Sequence, residues 1–295
     1  MRRLLLLFLL LQLPPAVAGA WAASPLLLEG AFSQGGLVQG RTDPAARVEL
    51  DGRPVRVSPE GLFLIGFGRD APAESTLRVT YPDGRVEQRL LQVAKRQYRI
   101  QRIDGLPKRK VVPEKRDLER IRKEAALARK ARRRDDPRTD FASGFIWPAQ
   151  GRISGVYGSQ RILNGQPRRP HYGVDVAAPV GAPVRAPAAG LVTLAHPDMF
   201  FSGGTLILDH GHGLSSSFLH LSRILVKEGQ RVRQGEVIAE VGATGRVTGA
   251  HLDWRMNLFT KRLDPQLLVA PMGEHKKVKA SEKAAAGDVS DEPKG

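Results

Sequence analysis

The sequence predicts a mainly β fold in two parts, joined by a basic, partly helical linker. Three observations carry this reading. Short runs of alternating apolar and polar residues recur between Gly- and Pro-containing turns, both before residue 95 and after residue 142. Helical periodicity is nearly absent from both stretches. The segment between them differs in kind, being dense in Lys and Arg and helical in composition. A length of 295 residues suits about two domains. With 31 Gly and 21 Pro, the chain has the composition of a turn-rich protein with few long helices.

The first element is a leader. Arg2 and Arg3 precede an apolar run from Leu4 to Leu11, followed by Pro14, Pro15 and the small-residue string Ala16-Val17-Ala18-Gly19-Ala20. A basic start, a short apolar core and a small-residue end form the secretory pattern, with cleavage expected after Ala20. The run is shorter than the roughly 20 apolar residues a bilayer span needs. Residues 1–20 therefore read as a signal peptide, and the protein as exported, to the periplasm where an outer membrane is present.

Residues 24–94 read as an antiparallel β-sandwich. Arg47-Val48-Glu49-Leu50 runs into the turn Asp51-Gly52, and Leu77-Arg78-Val79-Thr80-Tyr81 into Pro82-Asp83-Gly84. The stretch "QGRTDPAARVELDGRPVRVSPEGLFLIGF" resembles bacterial Ig-like spacer modules, which implies a spacer or binding role. Residues 95–142 are the basic linker, with eighteen Lys and Arg against seven Asp and Glu between 95 and 138. Glu114 to Arg134 has helical composition, with Leu118, Ile121, Ala125 and Ala128 along one side. That stripe is weak, so a solvated helix is expected, drawn towards an anionic polymer. No aromatic residues interleave these charges, which argues against specific nucleic-acid recognition. Residues 143–270 form a second all-β region, and 271–295, rich in Lys, Glu, Ala and Asp, a disordered tail. No segment after the leader is apolar enough to span a membrane.

The chemistry is confined by what is missing. With no Cys, thiol nucleophiles, iron–sulfur clusters and Cys-ligated zinc are excluded, so any metal sits on His and carboxylates. Six of the seven histidines lie between residues 143 and 270. His171 and Asp175 are four apart, too far to share an ion on an extended strand, and a bend at Gly173 would bring them together. A shared ion and a structural His–Asp hydrogen bond are both open for this pair. His251 and Asp253 are two apart, which on a strand places them on one face about 7 Å apart. His220 adds an imidazole from the apolar run Ser217-Phe218-Leu219-His220-Leu221.

Taken together, "RPHYGVDVAAPVGAPVRAPAAGLV", "GGTLILDHGHGLSSSFLHL" and "VKEGQRVRQGEVIAEVGATGRVTGAHLDWRM" resemble the core of the lysostaphin/LytM-type zinc metallopeptidases, which cleave peptide crosslinks of bacterial peptidoglycan. The resemblance spans roughly residues 144–268 and implies a β-sheet groove holding one zinc ion. It places His171 and Asp175 as ligands, His220 in a Tyr-x-His-Leu motif with Phe218 in the Tyr place, and His251 as the first histidine of His-x-His. The second histidine of that motif, a ligand in the family, is here Asp253. A carboxylate can ligate zinc, so His171, Asp175 and Asp253 are the expected set. Two carboxylates leave the ion formally neutral and a weaker Lewis acid, which predicts a more alkaline optimum than in an Asp253→His variant. His251 is the expected general base and His220 the group that orients the oxyanion, the two roles being exchangeable. Arg161 and Asn164 are expected to line the groove. Peptidoglycan is the implied substrate, with other cell-wall hydrolases or envelope regulators as further partners. The alternative is a catalytically silent LytM-like regulator that binds and activates a cell-wall amidase.

Overall fold

Alternation of apolar residues along the strands decides which faces are buried. The computed structural model describes residues 26–103, 115–163 and 165–272. The leader over 1–20, the linker stretch 104–114, Asn164 and the tail from 273 onward lie outside them. Near the N-terminus, strands Leu27–Gly30, Leu37–Arg41 and Leu62–Gly66 form one antiparallel sheet. Arg53–Val55, Arg47–Leu50, Glu74–Thr80 and Val86–Gln92 form a second. Val38, Phe63 and Ile65 from the first meet Val48, Leu50, Leu77 and Val79 from the second in one buried cluster. Every second residue of Glu74–Thr80 faces that cluster, the period a half-buried strand requires.

The C-terminal part is built on a ten-stranded antiparallel sheet. Its central path runs through Gly190–Met199, Gly203–Gly211, Leu214–Ile224, His251–Leu258, Val174–Ala177 and Arg152–Gly155. One face is apolar. Leu206, Leu208, Phe218, Val174, Val176, Leu252, Trp254 and Met256 are buried there. Trp147 closes this core with its ring edge-on to Trp254 at 5.7 Å, its indole N–H donating to Ala270 O at 2.8 Å. The residues between these core positions, Asp175, Asp253, Arg255, Ser217 and Ile207, share the opposite face. Register fixes this: Asp175 stands opposite Asp253, Leu219 opposite Asp253, and Ser217 opposite both Arg255 and Ile207.

The basic segment does not hang free. Leu118–Ala131 is an α-helix whose Ala128 and Ala131 pack on Leu194, Met199 and Ile207, covering part of the polar face. Arg120 pairs with Glu124 one turn on and with Asp198 across the interface. The expected solvated helix is thus docked, through small residues that give little hydrophobic signal. Upstream, Ile100–Ile103 pairs in parallel with Gln160–Leu163. No helix among the described residues is long and apolar enough to cross a membrane.

Candidate metal centre

Three side chains converge where the strands Val174–Ala177 and His251–Leu258 cross the polar face. Asp175 and Asp253 are direct cross-strand partners, so their carboxylates point the same way. His171 arrives from the segment just before the first strand. Its backbone is held at both ends, the N–H donating to Ser159 O and the C=O accepting from Gly158 N, each at 2.8 Å. The potential donor atoms of His171, Asp175 and Asp253 all lie within 4.8 Å of one another.

Two glycines make room for this cluster. A Cβ on Gly173 would lie 2.5 Å from Asp253 Oδ1 and 2.6 Å from Arg255 Cγ, and one on Gly155 would overlap Asp175 Oδ2. The bend expected at Gly173 therefore has a second reason, the close approach of the neighbouring strand.

The chemistry of the three groups fits a divalent cation. His171 Nε2 and Asp175 Oδ1 lie 3.1 Å apart, both buried and neither with a hydrogen-bond partner. Buried polar atoms seldom stay unpaired, and two lone pairs aimed at a common point are what a metal ion satisfies. Burial works against the His171 imidazolium, but Asp175 and Asp253 outweigh it and hold the ring above the ordinary histidine range. Asp253 is 2% exposed. Burial would raise its carboxyl, yet the charge and hydrogen bonds of Arg255 hold it well below the usual carboxylate range. Arg255 Nε donates to both carboxylate oxygens, at 2.9 and 3.0 Å, and its Nη2 donates to Oδ2. A carboxylate has about four lone-pair sites, so Asp253 can receive this fork and still face an ion.

Two further histidines border the cluster. His251 Nε2 is 3.9 Å from Asp175 Oδ1. His220 lies with its ring centroid 4.9 Å from that of His251. Each ring is fixed through Nδ1, His251 to Gly249 O at 2.8 Å and His220 to Thr244 O at 2.9 Å. A carbonyl only accepts, so Nδ1 carries the proton in both rings and neutral Nε2 keeps its lone pair. Burial pushes His220 below the usual histidine range, favouring that neutral form.

Of the two residues expected to line a groove, only Arg161 is among the described residues. Arg161 is exposed on Gln160–Leu163, and no hydrogen bond or ion pair joins it to the three converging residues. Asn164 lies outside the described residues. His210 is buried with both ring nitrogens engaged, on Ala189 O at 2.6 Å and Ser216 Oγ at 2.7 Å, a structural position. Arg255 was invisible to motif reading. Its signal is a carboxylate where a histidine was expected together with a cation two residues on, on the same strand face.

The three converging residues lie within a stretch that matches a known family. The model of peptidase family M23 matches residues 169–265. Peptidoglycan DD-endopeptidase ShyB of Vibrio cholerae is 38% identical over 107 residues, which cover 36% of this chain and 24% of that protein. DD-carboxypeptidase/endopeptidase Mpg of Neisseria meningitidis is 39% identical over 106 residues, covering 36% and 24%. The chain thus spans about a quarter of the length of these two relatives. A solved structure described as a putative peptidase M23 from Pseudomonas aeruginosa is 33% identical, with a TM-score of 0.63 over 80% of this chain and 94% of that one.

Proposed function

The chain belongs to peptidase family M23, and from that membership we propose that it is an exported zinc endopeptidase that hydrolyses D,D-peptide crosslinks of peptidoglycan. The observation that carries this reading is the convergence of His171, Asp175 and Asp253, with the buried His171 Nε2 and Asp175 Oδ1 facing each other without a hydrogen bond. The names of the relatives support the substrate class. The leader pattern of residues 1–20 supports export.

His171, Asp175 and Asp253 would hold the zinc ion. When bound, it supplies Lewis acidity at the scissile carbonyl. The chain's own groups do the rest. His251 takes a proton at Nε2, the nitrogen left free by its bond to Gly249 and facing the cluster. His220 has the same tautomer, so in its neutral form it offers the oxyanion no N–H. It first accepts a proton, and only as imidazolium can it donate to the developing negative charge or to the leaving amine. Arg255 fixes the orientation of Asp253 and adds one positive charge beside a site with two carboxylates.

Zinc content tests this reading directly. The purified full chain is expected to retain close to one zinc per molecule, and Asp175→Ala to lose it while keeping its β-sheet circular dichroism. Equal zinc in the two proteins would place the metal elsewhere.

A further inference from the structure

Past Asp253, the polar face carries further cations besides the Arg255 that orients this carboxylate. Ser217 stands in register opposite Arg255, and its hydroxyl receives Arg132 from the linker, Nη2 at 3.1 Å and Nε at 3.3 Å. Two residues beyond Arg255, Asn257 accepts from Arg262 Nη1 at 3.2 Å, and Arg262 is its cross-strand partner. Two guanidinium groups on neighbouring strands, Arg255 and Arg262, and that of Arg132 reaching in from the end of the linker helix, therefore gather over adjoining positions of the sheet. Arg255 has a carboxylate, Asp253. Among the described residues, neither Arg132 nor Arg262 forms an ion pair.

Their surroundings register the imbalance. Burial, then Arg262 and Arg255, pull Arg132 down to about 9, and burial, then Arg255, lowers Arg262. All three are still cations at neutral pH. Ser215, opposite Asn257 in register and 1% exposed, has a hydroxyl with no partner. The patch is nonetheless open to solvent, the Arg255 side chain keeping 26% of its surface. Like charges held together in a partly buried setting repel, and an anion that accepts from several of them relieves this. A planar carboxylate matches the fork of a guanidinium.

We propose that Arg132, Arg255 and Arg262, with Ser217 and Ser215, form a subsite for a free carboxylate of the substrate immediately beyond the scissile bond. This deepens, and rests on, the endopeptidase reading. In a D,D-crosslink the amine released on hydrolysis sits on a carbon that itself bears a carboxylate. That group lies one carbon from the scissile nitrogen, as Arg255 lies one side chain from a metal-site carboxylate. The subsite selects D,D-bonds with a free acid on the amine side over glycyl or amidated acceptors. It also makes the linker part of the site, since Arg132 lies outside the residues 169–265 that match the family.

Calorimetry on the full chain tests this without turnover. N-acetyl-D-alanyl-D-alanine and its C-terminal amide are titrated into protein held metal-free by chelator. The acid is expected to bind about tenfold or more tighter than the amide, the scale of a charge-assisted hydrogen bond. Arg132→Gln and Arg262→Gln, each with unchanged circular dichroism, are each expected to abolish most of that preference. Equal binding of acid and amide, binding of neither, or a preference that survives in both variants overturns the subsite. A retained acid preference in a zinc-loaded protein that leaves sacculi intact overturns the endopeptidase reading and leaves the subsite standing.

Discussion

His220 has a backbone φ of +68°, a left-handed conformation that few non-glycine residues adopt. In regular alternation it would follow Phe218 into the apolar core. Instead, Leu206 pairs with Phe218 while Gly204 pairs with Leu221, so the strand carrying His220 holds an extra residue there. Such a bulge re-aims a side chain, and here it turns the imidazole towards His251. Sequence periodicity placed His220 in an apolar strand and could not see the bulge. The motif resemblance supplied what the period did not. A second histidine shows the opposite case. Burial lowers His210 to about 4. The unfolded chain therefore takes up a proton at about pH 6.5, before the folded one does. Stability from this group is present above pH 6.5 and is lost as pH falls towards 4, a loss of roughly 3 kcal/mol over that window. Urea denaturation at pH 7 and pH 4.5 should show a shallower decline in His210→Gln than in the unsubstituted protein. Parallel declines would mean that His210 does not titrate between the two states.

At the scale of elements, the strand His251–Leu258 was the most legible. Its alternation places Leu252, Trp254 and Met256 in the core and His251, Asp253 and Arg255 on the other face, as the period-2 argument requires. The helix was legible as a helix but not as a docked one. Its contact is made by Ala128 and Ala131, and its partner Ile207 reads in sequence as one more residue of a continuous apolar strand. Ala128 belongs to the weak apolar stripe, but a contact made by two alanines buries too little for that stripe to predict docking. The docking predicts that Ala131→Glu, which brings a charge into a position 6% exposed, frees the helix from the sheet. Limited trypsin digestion should then cut within residues 118–134 at least about tenfold faster, as a locally unfolded segment would be cut. An unchanged cleavage rate would mean that the helix is not held by this contact.

At the scale of the molecule, the N-terminal sheets lean on the loop that holds the metal-site histidine. Arg69 Nε donates to Gly158 O at 3.0 Å, and Gly158 N donates in turn to His171 O. Nearby, Arg96 pairs at 2.8 Å with Asp264, which is 1% exposed, and Lys261 Nζ donates to Gly66 O. Leu37 and Leu64 from the N-terminal part join the core cluster that includes Leu258 and Leu263. None of these long-range contacts could be read from the sequence, because each joins residues that are unremarkable in their own segment. The formal charge of +16 also changes meaning. Much of it sits in the linker, but Arg120 and Arg132 are spent on contacts with the peptidase sheet rather than on a distant polymer. The described part of the linker is thus packed on the polar face of the sheet.

The central claim is zinc-dependent hydrolysis of wall crosslinks at the His171, Asp175, Asp253 site. Its most direct test is digestion of purified sacculi by the zinc-loaded full chain, with and without chelator, and with the released muropeptides identified by mass. The account predicts that crosslinked dimers disappear and monomers accumulate, that chelator stops the conversion, and that Asp175→Ala behaves as the chelated protein does. Intact dimers after prolonged incubation with the zinc-loaded protein, or conversion that proceeds unchanged in chelator, would contradict it.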